Sequence, residues 1–483
     1  AGACARVPRA ACGRAHGQFR PGDVSVALAI DEEFCYNGER SWVVGGVIPM
    51  KGFEAAYFTR GRNLVLSDTS DMCSPDWGDI YLAAKESWFI SEAGLTLYLS
   101  EGKREYLRKD CERLYLLAVN TEKKGTFLTA FDDKVSVFYF GEWLKCYFFR
   151  NGKNILDALE FSFAEHARIL SECEAFDEQL KSDCGKVGSG YYTIACASLR
   201  QSVAAHKLVE TKDGKLLFLS KENNSNGCIG TADVSYPSIP LYLLYNPELV
   251  QGMLRGIYDF AKMPVWNFDF APHDLGTYPW CSGQIYGTAQ RDDKYCCGMY
   301  SPWASPRTNQ MLYLRPAESE VYEKNMQMPV EECGNMLIMQ AAAITAGADK
   351  SLAYGEKDTF SIKYNILFDK LFGFSLIRQD ICEAETSYYI EKANRYGVPL
   401  DTREDYTKAD WILWAAALTD DKEKCEALYG PVVNYLAQTP SRVPFGDWYY
   451  STRGDIVHFI NRSVVGGCFA PLLKASGKCN VKR

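Results

Sequence analysis

The hydrophobic pattern of this chain changes period once, near Asp133, and that change limits the folds open to it. Upstream, the apolar residues fall in short runs: VSVALAI (Val24–Ile30), WVVGGVI (Trp42–Ile48), LTLYL (Leu95–Leu99), LYLLAV (Leu114–Val119) and TFLTAF (Thr126–Phe131). β-branched, Leu and aromatic residues fill them, and Gly, Asn, Asp or Ser separates most of them, as in strands joined by turns. A partial β-sandwich is therefore expected over residues 23–133. Downstream, Ile155, Leu159 and Phe163 recur every four residues within Asn154–Leu180, and Gly185 and Gly188 follow. The same helical spacing predicts helices at Tyr191–Val209, Glu331–Ala346, Ser361–Phe372, Ile381–Arg395, Lys408–Leu418 and Lys422–Leu436. Between them lie long loops at Ser220–Pro247, Trp266–Gln290 and Arg395–Tyr406, and loops of that length tend to carry function. The expected architecture is thus multidomain β + α, with a helical toroid of hairpins over 134–483. Ala1–Gln18 follows neither pattern and has no apolar stretch of a secretory signal. Residues 1–22 are read as disordered or as a fragment end.

Composition narrows the function. A 47% hydrophobic chain of 483 residues can bury large cores. Its charge, 53 − 61 = −8, argues against nucleic acid or anionic membrane as a partner. No run reaches the eighteen or so apolar residues of a membrane helix. A small-molecule substrate is expected, and no oligomeric state is implied. The five histidines (His16, His166, His206, His273, His458) show no HExxH spacing, and the 18 cysteines form no CxxC. Apart from the neighbours Cys296–Cys297, the cysteines stand singly. The expectation is no metal site, with the cysteines mostly reduced and buried in a cytoplasmic protein. GxGxxG, Walker A, GxSxG and kinase motifs are missing, so no cofactor is expected.

Five stretches concentrate chemistry. Lys221–Pro247 sets Glu222, Asn223, Asn224, Asn226, Asp233 and Tyr236 around Gly227 and Gly230. These side chains can bind a polar ligand, or equally satisfy their own loop backbone. Asn267–Gly287 places His273 and Asp274 between Pro272 and Gly276, followed by Tyr278, Trp280 and Gln284. An adjacent His–Asp pair offers an acid/base group beside a charge, although a lone histidine also serves as a structural hydrogen-bonder. Met328–Met339 carries Glu331 and Glu332 in the first turn of a helix, with Asn335 near them. The helix dipole favours carboxylates there without any function. Neighbouring helix positions diverge, however, so one of the two can enter an apolar pocket and have its pKa raised. Arg395–Ala416 contributes Asp401, Arg403, Lys408 and Asp410, and Thr439–Phe469 contributes Arg442, Asp447, Trp448, Arg462 and Ser463. Ion pairing at element ends explains these last two stretches equally well. Asp274, Glu332, Asp233 and Glu331 are the catalytic candidates. The substrate-binding candidates are Glu222, Asn224, Asn226, Tyr236, His273, Tyr278, Gln284, Asn335, Asp401, Arg403, Asp447, Trp448 and Arg462.

The chain resembles the glutaminase A-like family. The resemblance rests on RQSVAAHKLV (Arg200–Val209), ENNSNGCIGTADVSYPSIPLYLLYNPEL (Glu222–Leu249), FAPHDLGTYPWCSGQIYG (Phe270–Gly287) and MPVEECGNMLIM (Met328–Met339). It continues through FSIKYNILFDKL (Phe360–Leu371), RYGVPLDTREDYTKADWILWAAAL (Arg395–Leu418), RVPFGDWYY (Arg442–Tyr450) and RSVVGGCFAPLL (Arg462–Leu473). Upstream, DWGDIYLAA (Asp76–Ala84) and FDDKVSVFYFGEWLKCYF (Phe131–Phe148) look like the junction of its two domains. The resemblance implies a β-sandwich followed by an (α/α) toroid related to the six-hairpin glycosidases, and hydrolysis of L-glutamine to glutamate and ammonia. Against the family's order, Ala341–Asn365 joins two motifs directly where several helices and an acidic loop intervene in relatives. The opening of the sandwich is also short. An incomplete toroid is therefore expected. Three functions remain open: an amidohydrolase acting on glutamine, a glycoside hydrolase using two carboxylates, and an inactive remnant.

Overall fold

The computed structural model describes residues 26–36, 41–62, 65–66, 77–104, 113–120, 125–223, 225–288, 311–344, 362–401, 404–441 and 443–479. Residues 1–22, Asn224, Cys296–Cys297, Arg403 and Arg442 lie outside them.

Seven strands open the chain: β1 (Val26–Asp31), β2 (Val43–Met50), β3 (Phe53–Arg60), β4 (Asp79–Ala84), β5 (Glu86–Ser91), β6 (Leu114–Asn120) and β7 (Leu128–Asp132). They form two antiparallel sheets, ordered β1-β6-β5 and β2-β3-β4-β7. The sheets face each other across Ile30, Leu116 and Ala118 on one side and Ala56, Phe58, Ile80, Leu82 and Ala84 on the other. Their outer faces are covered too. Tyr81 and Ala83 pack with Ile155 and Leu159 of α2 (Ile155–Ala164), and Trp88 and Leu117 pack with Leu95 and Tyr98 of α1 (Glu92–Glu101). β4 is covered on both faces and buried at every position, and after Asp79 it carries no charged residue, so alternation does not mark it in the sequence.

The run Leu95–Leu99, expected as a strand, lies within α1. The caps explain the difference. Ser91 Oγ accepts the Gly94 N–H, and Gly102 closes the helix in the left-handed region at φ 69°.

The rest is mainly helical. A small sheet comes first, with β8 (Val137–Tyr139) and β9 (Glu142–Leu144). Then come α2, α3 (His166–Val187), α4 (Tyr191–Ala204), the hairpin β10 (His206–Glu210) and β11 (Leu216–Ser220), α5 (Ala232–Tyr245) and α6 (Pro247–Ala261). β12 (Trp280–Cys281) pairs in parallel with β8. After it come α7 (Pro329–Ile344), α8 (Leu367–Phe372), α9 (Gln379–Lys392), β13 (Tyr406–Lys408), α10 (Ala409–Ala416), α11 (Lys422–Gln438), β14 (Trp448–Tyr450) and α12 (Ala470–Ser476), with a 3₁₀ segment at Ser463–Phe469. The helix expected over Asn154–Leu180 is two helices, broken at Glu165. The helix expected at Tyr191–Val209 ends at Ala204 and continues as β10.

α5 occupies the middle of the helical domain, with eleven of its 14 residues buried. It packs against α6, α7, α12 and the 3₁₀ segment. Gly466 and Gly467 permit that last contact, since a Cβ on Gly467 would stand 2.5 Å from the Pro237 carbonyl oxygen. The chain is a β-sandwich followed by a helical domain, as expected. Among the described residues no helix is long and apolar enough to cross a membrane.

Candidate functional site

Two loops are laced together over α5. Ile229 donates its N–H to the Gly276 carbonyl, Leu275 to Ile229, and Tyr278 to Gly227. Ala232, at the start of α5, donates to the His273 carbonyl. The turn requires glycine at 276, where φ is 139° and a Cβ would lie 2.2 Å from the Trp280 carbonyl oxygen. This lacing brings His273 to the N-terminal end of α5, near Asp233.

Asp274 lies beneath that histidine. It is fully buried, and its carboxylate accepts the N–H groups of Gly276, Ile285 and Tyr286 at 2.9, 3.0 and 3.1 Å. The remaining contact is to His273 Nδ1 at 3.0 Å. Asp274 therefore orients the ring; it does not present a carboxylate to a cleft. The backbone N–H of His273 donates to Gln284 Oε1, and Tyr286 stacks on the ring at 4.4 Å. With Nδ1 held, Nε2 points to Asp233 Oδ1, 3.7 Å away. Burial is the largest influence on the ring and would lower its pKa. The hydrogen bond that Nδ1 donates to Asp274 and the charges of Asp233, Asp274 and Glu332 outweigh it, pushing the imidazolium up to about 10.

Three further carboxyls join this pair. Glu222 is buried and accepts Ser225 Oγ at 2.8 Å. Burial and the charge of Asp233 raise its pKa. Glu332 is 1% exposed, and Asn335 Nδ2 approaches its Oε2 at 3.4 Å. Its Oε1 has no hydrogen-bond partner among the described residues. Burial first, then Asp233, holds Glu332 well above the ordinary carboxyl range. Glu331, a quarter-turn away, is exposed, and the same two causes raise it more modestly. The divergence of neighbouring helix positions thus sends Glu332 inward and leaves Glu331 at the rim. Asp233 is the charge common to all three glutamates, and its own Oδ1 has no hydrogen-bond partner among the described residues.

Asn223 Nδ2 reaches the Asn461 carbonyl at 2.8 Å and joins this group to a second one. There Arg462 grips Asp447 through Nη2 (2.7 Å) and Nε (3.3 Å), with Lys408 Nζ 3.8 Å from the same carboxylate. β13 and β14 set this up by pairing Lys408 with Trp448. Asp447 and Asp410 are both fully buried. Burial works against the ionised form of Asp447, but Arg462 and Lys408 prevail and lower its pKa. Asp410 is the reverse: burial dominates and raises it to about 6. Trp411, in the first turn of α10, stacks on Tyr364 at 3.9 Å and lies under the Lys408 ammonium.

Seven expected site residues thus meet around His273 and Arg462: Glu222, Asp233, Glu331, Glu332, Asn335, Asp447 and Trp448. Others serve the frame. Tyr236 is buried against Phe368 and Trp414, Tyr278 under the Lys221 ammonium at 3.8 Å, and Gln284 is fully buried between His273 and Gln327. Asn226 is exposed and folds back on the Cys228 N–H in an Asx turn. Asp401 is half-buried in the loop before β13. Tyr286, Tyr364 and Trp411 were not among the expected residues. Their signal was there: Tyr286 ends the His273 loop, Tyr364 lies in the SIKYN motif, and Trp411 follows Asp410.

Residues 188–353 and 342–472 match the family model described as the glutaminase A six helical-hairpin domain. The protein named glutaminase A from Aspergillus oryzae is 27% identical over 382 residues, which cover 65% of this chain and 55% of that protein. One named as a probable glutaminase from Arthroderma benhamiae is 28% identical over 201 residues, covering 41% of this chain and 19% of its own length. The chain spans about half the length of the first relative and a fifth of the second.

Proposed function

The chain belongs to the glutaminase A six helical-hairpin family, and from that premise we propose that it hydrolyses the side-chain amide of L-glutamine to glutamate and ammonia. The observation that carries the reading is the interacting pair Asp233 and Glu332, each with an oxygen that lacks a hydrogen-bond partner among the described residues. Their environments differ as an acid and a base require. Glu332, whose pKa burial raises well above the ordinary carboxyl range, is the proton donor, and Asp233, whose side chain is 35% exposed, is the base that meets water. Asp233 takes a proton from water as its oxygen bonds to the amide carbon. The oxyanion that forms is met by the His273 imidazolium, fixed by Asp274. Glu332 then protonates the amide nitrogen, the C–N bond breaks, ammonia leaves, and the proton on Asp233 restores Glu332.

The same two carboxyls support a second reading, since a donor and a base across one site also cleave a glycosidic bond. Ammonia release from L-glutamine, measured beside reducing-sugar release from a glycan panel, separates the two. Ammonia without sugar is expected, and sugar without ammonia overturns the reading. Glu332→Gln should lower ammonia release by about 10²–10⁴-fold with little change in the thermal melt. A fully active variant removes Glu332 from the role.

A further inference from the structure

We infer that Glu222, Asp233 and His273 form a binding site for one divalent transition-type cation such as Zn²⁺. Each offers one ligand atom, and the three atoms lie within 4.8 Å of one another. The 3.7 Å between His273 Nε2 and Asp233 Oδ1 is too long for a hydrogen bond. It does suit two atoms bound to one ion: with bonds of about 2.0–2.1 Å, tetrahedral ligands stand roughly 3.4 Å apart, and wider angles separate them further.

The histidine is prepared for that role. Asp274 fixes Nδ1, and three backbone N–H groups fix Asp274, which leaves Nε2 directed at Asp233 and Glu222. A carboxylate behind the imidazole is the usual support of a metal-binding histidine. Asp274 itself is spent on those bonds, so the neighbouring grouping of Cys228, His273 and Asp274 would have to break the support to bind an ion.

The unpartnered carboxyl beside the three ligands supplies an independent argument. Glu222, Asp233, Glu331 and Glu332 gather around one imidazole. Glu332 is 1% exposed, its strongest charged neighbours are Asp233 and His273, and its Oε1 has no partner among the described residues. Buried carboxyl oxygens are rarely left so. A water on the ion gives Glu332 its missing partner. The partly exposed Asp233 provides the way in. An ion held there would supply a positive charge able to polarise a carbonyl.

The site does not depend on the glutaminase reading, and an ion held there would take up the Asp233 carboxylate that the reading uses as its base. The test titrates Zn²⁺ into the chelator-treated full chain by calorimetry, with Co²⁺ absorption as a second readout. One ion per chain is expected, with affinity at least about tenfold weaker in Asp233→Asn and in Glu222→Gln while both keep the parent's thermal melt. Cys228→Ser should bind as the parent does. The absence of stoichiometric binding, unchanged affinity in both carboxamide variants, or loss of binding in Cys228→Ser overturns the site. An ion bound by a chain that releases no ammonia upholds the site and removes the glutaminase reading. Ammonia released by a chain that takes up no ion does the reverse.

Discussion

Burial alone would make His273 neutral, yet its neighbours hold the proton up to about 10 against an ordinary 6.5. That difference couples folding to pH. A raised folded pKa means that the native state binds the proton more tightly than the unfolded chain does. The stabilisation is therefore complete below about 6.5 and is lost as pH rises through about 10. Urea unfolding of the parent and of His273→Gln, at steps from about pH 6 to 10, should show a gap that narrows as pH rises. A gap that widened would contradict the proton's place. The Asp447–Arg462 pair gives a second expectation. Arg462 is 7% exposed, so Asp447→Ala strands a buried guanidinium. The cost should be about 3–5 kcal/mol of unfolding free energy. A loss under about 1 kcal/mol would mean that Asp410, Glu222 and solvent relieve the arginine.

At the scale of elements, the N-terminal ends of α5, α7 and α10 supply Asp233, Glu331, Glu332 and Asp410, so helix dipoles oppose the acidic surplus. Their convergence depends on how closely the Ser463–Phe469 segment crosses α5. Gly467→Ala brings a methyl against the Pro237 carbonyl, with Trp414 Nε1 at 2.8 Å and Asp410 Cβ at 3.0 Å. All three atoms belong to α5 and α10, so a loss of about 1–3 kcal/mol is expected by denaturant unfolding, together with weaker ammonia release. An unchanged midpoint would mean that the crossing is loose. These elements were unevenly legible in the sequence. α7 and α11 were visible because each pairs an apolar stripe with a polar face, and α10 because its apolar run WILWAAAL is long enough for a helix. α5 was hidden: it is buried all round, so it has no stripe, and Pro237 and Pro240 inside it resemble loop punctuation. α6 did carry a stripe, in Val250, Met253, Leu254, Ile257 and Phe260, but lay between two stretches that read as loops. The carboxyls of the site were legible as residue types beside glycines and aromatics. Their roles were not, because only the laced backbone separates Asp274, bonded to three N–H groups, from Asp233, which meets water.

At the scale of the whole molecule, every side chain of the candidate site comes from residues 222–462, and none from β1–β7. The sandwich meets the helical part through α2, where Ile155 and Leu159 sit on Phe53, Ala55, Tyr81 and Ala83, and Phe163 stacks on Phe53 at 4.3 Å, and again where Leu66 and Trp77 pack with Phe138 and Trp280. The α2 seam is a separate apolar cluster from the continuous core that surrounds α5. Damage there should lower the stability of the sandwich and leave the site intact. Leu159, 2% exposed, is the residue to test. Leu159→Ala removes a buried side chain and leaves a cavity, at a cost of about 2–5 kcal/mol. In calorimetry the expected result is an earlier first transition with an unmoved second one, while ammonia release and Zn²⁺ affinity below that transition match the parent. If both transitions move together, or if the site weakens while the helical core is still folded, the sandwich supports the chemistry. The two parts would then be one cooperative unit.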